Sequence, residues 1–161
     1  MRAPTILLNE KVTPQLGRNI SKNGAMATDA VEQAMRGLKM FALLVDDLGI
    51  DDVETVATAA VREASNGPEF VAAHKDTGLE PRILSGEEEA RISASGVIGA
   101  FPSSCGSVAD LGGGSLELVE ITGGETGKPV SLPLGALRLP DYRSDSGENT
   151  DAMMDLSLIH I

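Results

Sequence analysis

The run Asp110-Leu111-Gly112-Gly113-Gly114-Ser115 holds the densest chemistry in this sequence. Three successive glycines allow a sharp turn through positive φ and a close approach of ligand to main chain. Their N–H groups can converge on an anion, and the Ser115 hydroxyl adds a donor. Asp110, ahead of the turn, can hold Mg2+ directly or through water. Glu117 follows Ser115 by two residues, so on a strand the two side chains share a face. Together they read as a metal–phosphate cradle; the competing reading is a flexible hairpin with solvated acids. The run is neither a P-loop nor a dinucleotide fingerprint, because no Gly-Lys-Ser/Thr is present and a strand, not a helix, follows.

A second constellation is Ser85-Gly86-Glu87-Glu88-Glu89-Ala90-Arg91. Ser85 and Glu88 have capping-box spacing, and Glu87 suits the positive end of the helix dipole. Capping does not explain Glu89. Successive helical residues fan out by about 100°, so the three glutamates cannot face one pocket, and Glu89 is the best candidate for a general base. An acidic first turn on a surface helix is the competing explanation. Arg62 and Arg91 are candidate phosphate contacts, since guanidinium presents a planar fork of donors. Arg62 follows a short buried strand, and open α/β sheets place ligands beyond strand C-termini. Surface ion pairs with Glu63 or Glu87 would account for the arginines equally well. His74 reads as a solvated histidine, and Cys105 as a buried or half-buried inert thiol.

The elements that must position these groups alternate between strand and helix, which indicates an α/β fold. Thr5–Val12 reads as a strand and residues 13–27 as loop. Val31, Ala34, Leu38, Phe41, Val45 and Leu48 form the apolar stripe of a long helix, capped by Thr28 or Asp29 and ended by Gly49. Val53–Ala57 predicts a short buried strand and Thr58–Ala64 a helix. Another short helix has Pro68 at its first position and closes at Gly78. Arg82–Leu84 is a brief strand, and Ser85 opens a helix to about Gly99. Ser107–Asp110 and Leu116–Ile121 flank the glycine turn as a hairpin, with Val130–Leu132 as a third strand. From Pro140 onward the chain is polar and aperiodic. The closing string Leu156–Ile161 is what a sequencing-library transposon end gives in translation, and we expect it to be an artefact; His160 carries no functional weight.

The totals exclude several classes. The chain has 161 residues, a net charge of −11 and 2% aromatics. That acidity argues against a nucleic-acid binder, and the scarcity of aromatics against a single-strand stacking platform. No apolar run approaches the roughly 20 residues of a membrane span, and no secretory signal is visible. One cysteine permits no internal disulfide and fits a cytoplasmic location. A phosphate substrate would need local cations, from arginine or Mg2+, against this overall field.

Four pieces occur in order: Thr-Ala-Ala-Val-Arg-Glu-Ala at 58–64, Ser-Gly-Glu-Glu-Glu-Ala-Arg at 85–91, Asp-Leu-Gly-Gly-Gly-Ser at 110–115 and Ser-Leu-Pro-Leu-Gly-Ala at 131–136. The set resembles the exopolyphosphatase / guanosine pentaphosphate phosphohydrolase family, over roughly residues 3–140. The resemblance implies ribonuclease H-like lobes of the actin, Hsp70 and sugar-kinase superfamily, with the site between them. Residues 1–100 would form part of the first lobe, 101–140 the start of the second, and 141–161 an irregular tail. Asp110 and Glu117 would organise Mg2+, while Gly112, Gly113, Gly114, Ser115 and Thr58 would bind phosphate. Glu89 would activate water and Arg62 steady the phosphate. Orthophosphate would leave the end of polyphosphate or guanosine pentaphosphate, and the full-length family would be homodimeric.

The chain departs from the family pattern in two ways. Leu116 stands where the family usually has Thr, and the family's opening Asp-x-Gly-Ser-Asn-like loop is missing. The second lobe also stops early, so we expect a fragment with exposed apolar edges and little activity of its own. A non-catalytic polyphosphate- or alarmone-binding module, or an ATP-using kinase of the same superfamily, are the alternatives.

Overall fold

Two small sheets and five helices make up the described part of the chain, residue 6 and residues 8–138 of a computed structural model. The element bounds follow the sequence closely where a turn residue or cap sets them. Helix α1 (Ile20–Asn23) is a short turn inside the segment expected to be loop; Gly24 closes it at φ 68°. Helix α2 (Thr28–Asp47) runs 20 residues. Neither Thr28 nor Asp29 caps it as expected. Ala27 is the N-cap, without a side-chain bond, and Asp29 pairs with Arg18 at 2.7 Å. Gly49 follows the helix at φ 62°, as the sequence indicates.

The buried line of α2 is Ala30, Ala34 and Gly37, rotated from the predicted stripe. Small residues face inward because Val12 lies directly over Gly37, where an added β-carbon would sit 3.2 Å from it. Leu48, expected in the stripe, is half exposed.

Strands β1 (Val56–Ala57) and β2 (Arg82–Ile83) pair in parallel, Val56 opposite Arg82 and Ala57 opposite Ile83. Between them lie α3 (Ala59–Glu63), α4 (Gly67–Ala73) and a 3-10 turn at Lys75–Thr77 ended by Gly78. Helix α4 begins at Gly67, so Pro68 takes its second position rather than its first. A side chain at residue 67 would overlap the Val61 carbonyl, so glycine is what lets α3 and α4 close on each other. Ile20, Met26, Ala34, Ala57, Val61, Ala64 and Phe70 form the core here. Burying each large member stabilises by about 1.5–3 kcal/mol.

His74 is a correction to the sequence reading. It is buried to 1% exposure, edge-on to Phe70 with ring centroids 4.3 Å apart, and its Nδ1 meets the Phe70 carbonyl. A spacing of four residues puts the two rings on one helix face. Residues 8–12 pair with no strand, contrary to the expected Thr5–Val12 strand; positions 5 and 7 of that reading lie outside the described residues. Cys105 is exposed, not buried, because it sits in the link between a helix and a sheet edge. The tail read from Pro140 onward also lies outside the described residues.

Helix α5 (Gly86–Ala100) carries the predicted capping box. The Glu88 N–H donates to Ser85 Oγ at 3.2 Å, and the Ser85 N–H to Glu88 Oε2 at 2.8 Å. The second sheet comprises β3 (Gly106–Leu111), β4 (Leu116–Thr122), β5 (Glu125–Thr126) and β6 (Val130–Leu132), all antiparallel around β4. Strand β5 escaped the sequence reading. It follows from Gly123 and Gly124, whose φ values of 61° and 83° make a two-residue hairpin turn.

Helix α5 packs on one face of this sheet. Ala94, fully buried, meets Val119 and Ile121, flanked by Val97, Ile98 and Val108. The opposite face leaves Leu111 and Val130 exposed. No described helix is long and apolar enough to cross a membrane.

Candidate functional site

The geometry of the site follows from two periodicities meeting. On β3 and β4, Asp110 stands directly opposite Glu117, and Val108 opposite Val119. Directly opposed residues share a face, so both acids lie on the side that α5 covers. On α5, Glu89 and Ser93 are four residues apart and therefore neighbours. Ser93 Oγ donates to Asp110 Oδ2 at 2.5 Å. On the other side of β4, Ser131 stands opposite Glu117, and its Oγ donates to Glu117 Oε1 at 2.8 Å. Glu117 is 1% exposed, and its Oε2 is buried without a hydrogen-bond partner.

Arg62, near the end of α3, reaches the same place. Its Nη1 donates to the Leu84 carbonyl at 2.6 Å and to Glu89 Oε2 at 3.3 Å. Burial pushes the Glu89 carboxyl above the usual glutamate range. The Glu117 charge pushes it in the same direction, Asp110 adds to this, and Arg62 partly offsets the rise. A buried carboxyl beside like charges resists ionisation.

Glu89, Thr58 and residues Gly112 to Ser115 line one cavity of about 240 Å³, together with Pro14, Gln15 and Leu137. Sequence reasoning required the general-base candidate and the glycine turn to share an opening, and they do. Ser115 is 2% exposed.

The glycine turn departs from the sequence expectation in its backbone angles. None of Gly112, Gly113 or Gly114 has positive φ. Their function is closeness: a β-carbon on Gly114 would come within 2.9 Å of the Ala59 methyl, and one on Gly135 would overlap the Gly113 and Gly114 backbone. The Gly112 and Gly113 carbonyls accept from the Ala136 and Leu137 N–H groups, each at 2.9 Å. In a trans peptide the N–H points opposite to the carbonyl. The Gly113 and Gly114 N–H groups are therefore turned away from residues 136–137, and they donate to no backbone acceptor among the described residues.

Arg91 is not brought to this cavity. Its side chain is half exposed and faces Glu87 at 3.7 Å, four residues earlier on the same helix. Glu63 pairs with Arg138, so Arg62 is left to Glu89. Ser93, Ser131 and the segment 12–17 were missed from the sequence. Ser93 was findable, one helical turn after Glu89; Ser131 needed the strand register. Among the described residues, no group of three or more His, Cys, Asp or Glu side chains is placed to hold a metal ion.

Solved and curated proteins resemble this chain over most of its length. The chain is 29% identical to an exopolyphosphatase from Cytophaga hutchinsonii ATCC 33406, with a TM-score of 0.83 over 95% of this chain and 52% of that one. An Aquifex aeolicus member of the Ppx/GppA protein family is 28% identical, with a TM-score of 0.68 over 89% of this chain and 47% of that one. Retrograde regulation protein 2 of Saccharomyces cerevisiae is 36% identical over 141 residues, 79% of this chain and 24% of that protein. The chain thus spans about half the length of these solved relatives and about a quarter of the yeast protein. Residues 2–155 match the Ppx/GppA phosphatase family, and with an α/β structure shared with solved members, the chain belongs to that family.

Proposed function

We propose that this chain carries the core of a phosphohydrolase site that releases orthophosphate from the end of inorganic polyphosphate or from guanosine pentaphosphate. The observation that carries this reading is the single cavity shared by Glu89, Thr58 and the Gly112–Ser115 turn. In the proposed reaction Glu89 takes a proton from a water molecule as its oxygen attacks the terminal phosphorus. The bond from that phosphorus to the bridging oxygen breaks, and the shortened chain leaves as an oxyanion. A half-buried carboxyl beside like charges, its proton affinity raised above that of an ordinary glutamate, suits a general base. Arg62, held by the Leu84 carbonyl, would steady the terminal phosphate. Thr58 and the Gly113, Gly114 and Ser115 donors would cradle it. Phosphoryl transfer needs this kind of positioning and charge stabilisation more than covalent help.

Mg2+ fits the residues present. Glu117 Oε2 is a buried carboxylate oxygen without a partner, and Asp110 stands opposite it. Mg2+ commonly takes only one or two carboxylates and completes its shell with water and substrate phosphate. Asp110 and Glu117 would hold it, and it would neutralise charge on the phosphate oxygens. We read the two sheets as parts of two ribonuclease H-like lobes, with this cavity between them.

A second reading, a binding module of the same site without turnover, draws on the yeast relative, which is named for regulation. Orthophosphate release and equilibrium binding, measured with polyphosphate, guanosine pentaphosphate and ATP, separate the readings. Hydrolysis of either of the first two, lost in Glu89→Ala while binding persists, supports the proposal. Turnover retained by Glu89→Ala removes Glu89 as the base. Because the chain spans about half the length of its solved relatives, these assays use a chain completed to their length: release from ATP alone favours a kinase-like relative, and tight binding without turnover by that completed chain favours the module.

A further inference from the structure

The two acids that would hold the cation are each restrained by one hydroxyl, and the hydroxyls come from different elements. Ser93 on α5 holds Asp110 at 2.5 Å, and Ser131 on β6 holds Glu117 at 2.8 Å. Each bond uses one carboxylate oxygen and leaves the other. For Glu117 the remaining oxygen, Oε2, is buried and unpartnered, a costly arrangement that needs an unfilled partner to explain it.

The chemical type of the restraint matters. An arginine or lysine in either place would fix the carboxylate and also neutralise it. A hydroxyl fixes its direction and leaves the negative charge available. The arginine of this site, Arg62, pairs with Glu89, not with Asp110 or Glu117. Steric evidence ties the motif glycine to the same device. A β-carbon at Gly86 would overlap both Cβ and Oγ of Ser131. Glycine at the first turn of α5 therefore lets the helix close over Ser131 without moving its hydroxyl off Glu117.

The geometry points to Ser93 and Ser131 as positioning residues that aim Asp110 and Glu117 at a divalent cation, with Gly86 making room for Ser131. This rests on the phosphohydrolase reading of the site, and deepens it. The two serines do not touch substrate; they act through the acids. Outer partners of metal-binding carboxylates typically change metal affinity by about 10- to 100-fold when removed.

The test is a calorimetric titration of the chain with MgCl2, without substrate. It is run on the unsubstituted chain and on Ser131→Ala, Ser93→Ala, Ser93→Thr and Glu117→Gln, with melting curves in EDTA to establish folding. We expect Ser131→Ala and Ser93→Ala each to weaken Mg2+ binding about tenfold or more. Their metal-free melting should stay close to the unsubstituted chain, and Ser93→Thr, which keeps the hydroxyl, should retain affinity. Loss of binding in Glu117→Gln with no change in either alanine variant overturns the positioning role while sparing the metal reading. No saturable Mg2+ binding by the unsubstituted chain overturns both. If an alanine variant melts early, Ser93→Thr decides: affinity lost despite a retained hydroxyl and normal melting overturns the proposal.

Discussion

One face of the β3–β4 hairpin is two different environments laid end to end. At the far end Val108, Val119 and Ile121 pack under Ala94, Val97 and Ile98. At the turn end, on the same strands and under the same helix, stand Asp110 and Glu117 under Glu89 and Ser93. Backbone, register and burial are alike; only side-chain chemistry differs. The apolar end gains from leaving water and holds α5 down. The acidic end gathers three carboxylates, and there burial and the neighbouring acids oppose ionisation of Glu89, with Arg62 as its nearby cation. The helix is thus anchored by one end of the face so that the other can be unfavourable. Strain of this kind marks functional sites more than structural ones.

The contrast can be broken first at the base. Glu89→Gln should lower orthophosphate release by about 100- to 10,000-fold, the usual range for a positioned general base, while melting changes little. Ile121→Ala should do the reverse. It removes packing at the apolar end and should cost about 2–5 kcal/mol of stability in denaturant titration. Gly86→Ala forces a methyl into Ser131 and should cost about 1–3 kcal/mol as overpacking. In metal-free buffer Glu117→Gln should leave stability close to that of the unsubstituted chain, because Glu117 Oε2 already lacks a hydrogen-bond partner; a large loss there would contradict the idea that this end is strained.

The smallest effect concerns pH. Glu89 should titrate above the ordinary glutamate range by carbon-13 NMR of its carboxyl, since burial and the Glu117 charge favour its neutral form. Arg62→Gln removes an opposing cation, so the titration should move further upward. The acid limb of activity should move with it, because the base works only when deprotonated. A downward move would mean that Arg62 does not act on Glu89 electrostatically.

The sequence made parts of this comparison legible and hid others. The hairpin was readable because two short runs, Ser107–Asp110 and Leu116–Ile121, flank a glycine turn. The start of α5 was readable because Ser85 and Glu88 satisfy local N–H groups by spacing alone. The burial of Glu117 was not, since a period of two says that residues share a face but not which face a helix will cover. His74 was misread because its immediate neighbours are exposed, while the residue that buries it, Phe70, lies a full turn away. The glycine turn was placed correctly, but positive φ is not what favours glycine there: Ala59 crowds Gly114 and Leu137 crowds Gly113, contacts between segments distant in sequence. Arg91 shows the converse limit, for a guanidinium near a motif can simply satisfy its own helix.

The fixing of the Gly112 and Gly113 carbonyls by Ala136 and Leu137 has a consequence for selectivity. It orients two amide dipoles permanently, and an amide has no protonation equilibrium in the physiological range and no counterion to exchange. Recognition by that wall would remain switched on across acidity and ionic strength that silence a lysine or histidine cluster. In a molecule whose overall charge repels oxyanions, the proposed site would draw its attraction from peptide groups whose direction the fold has already set.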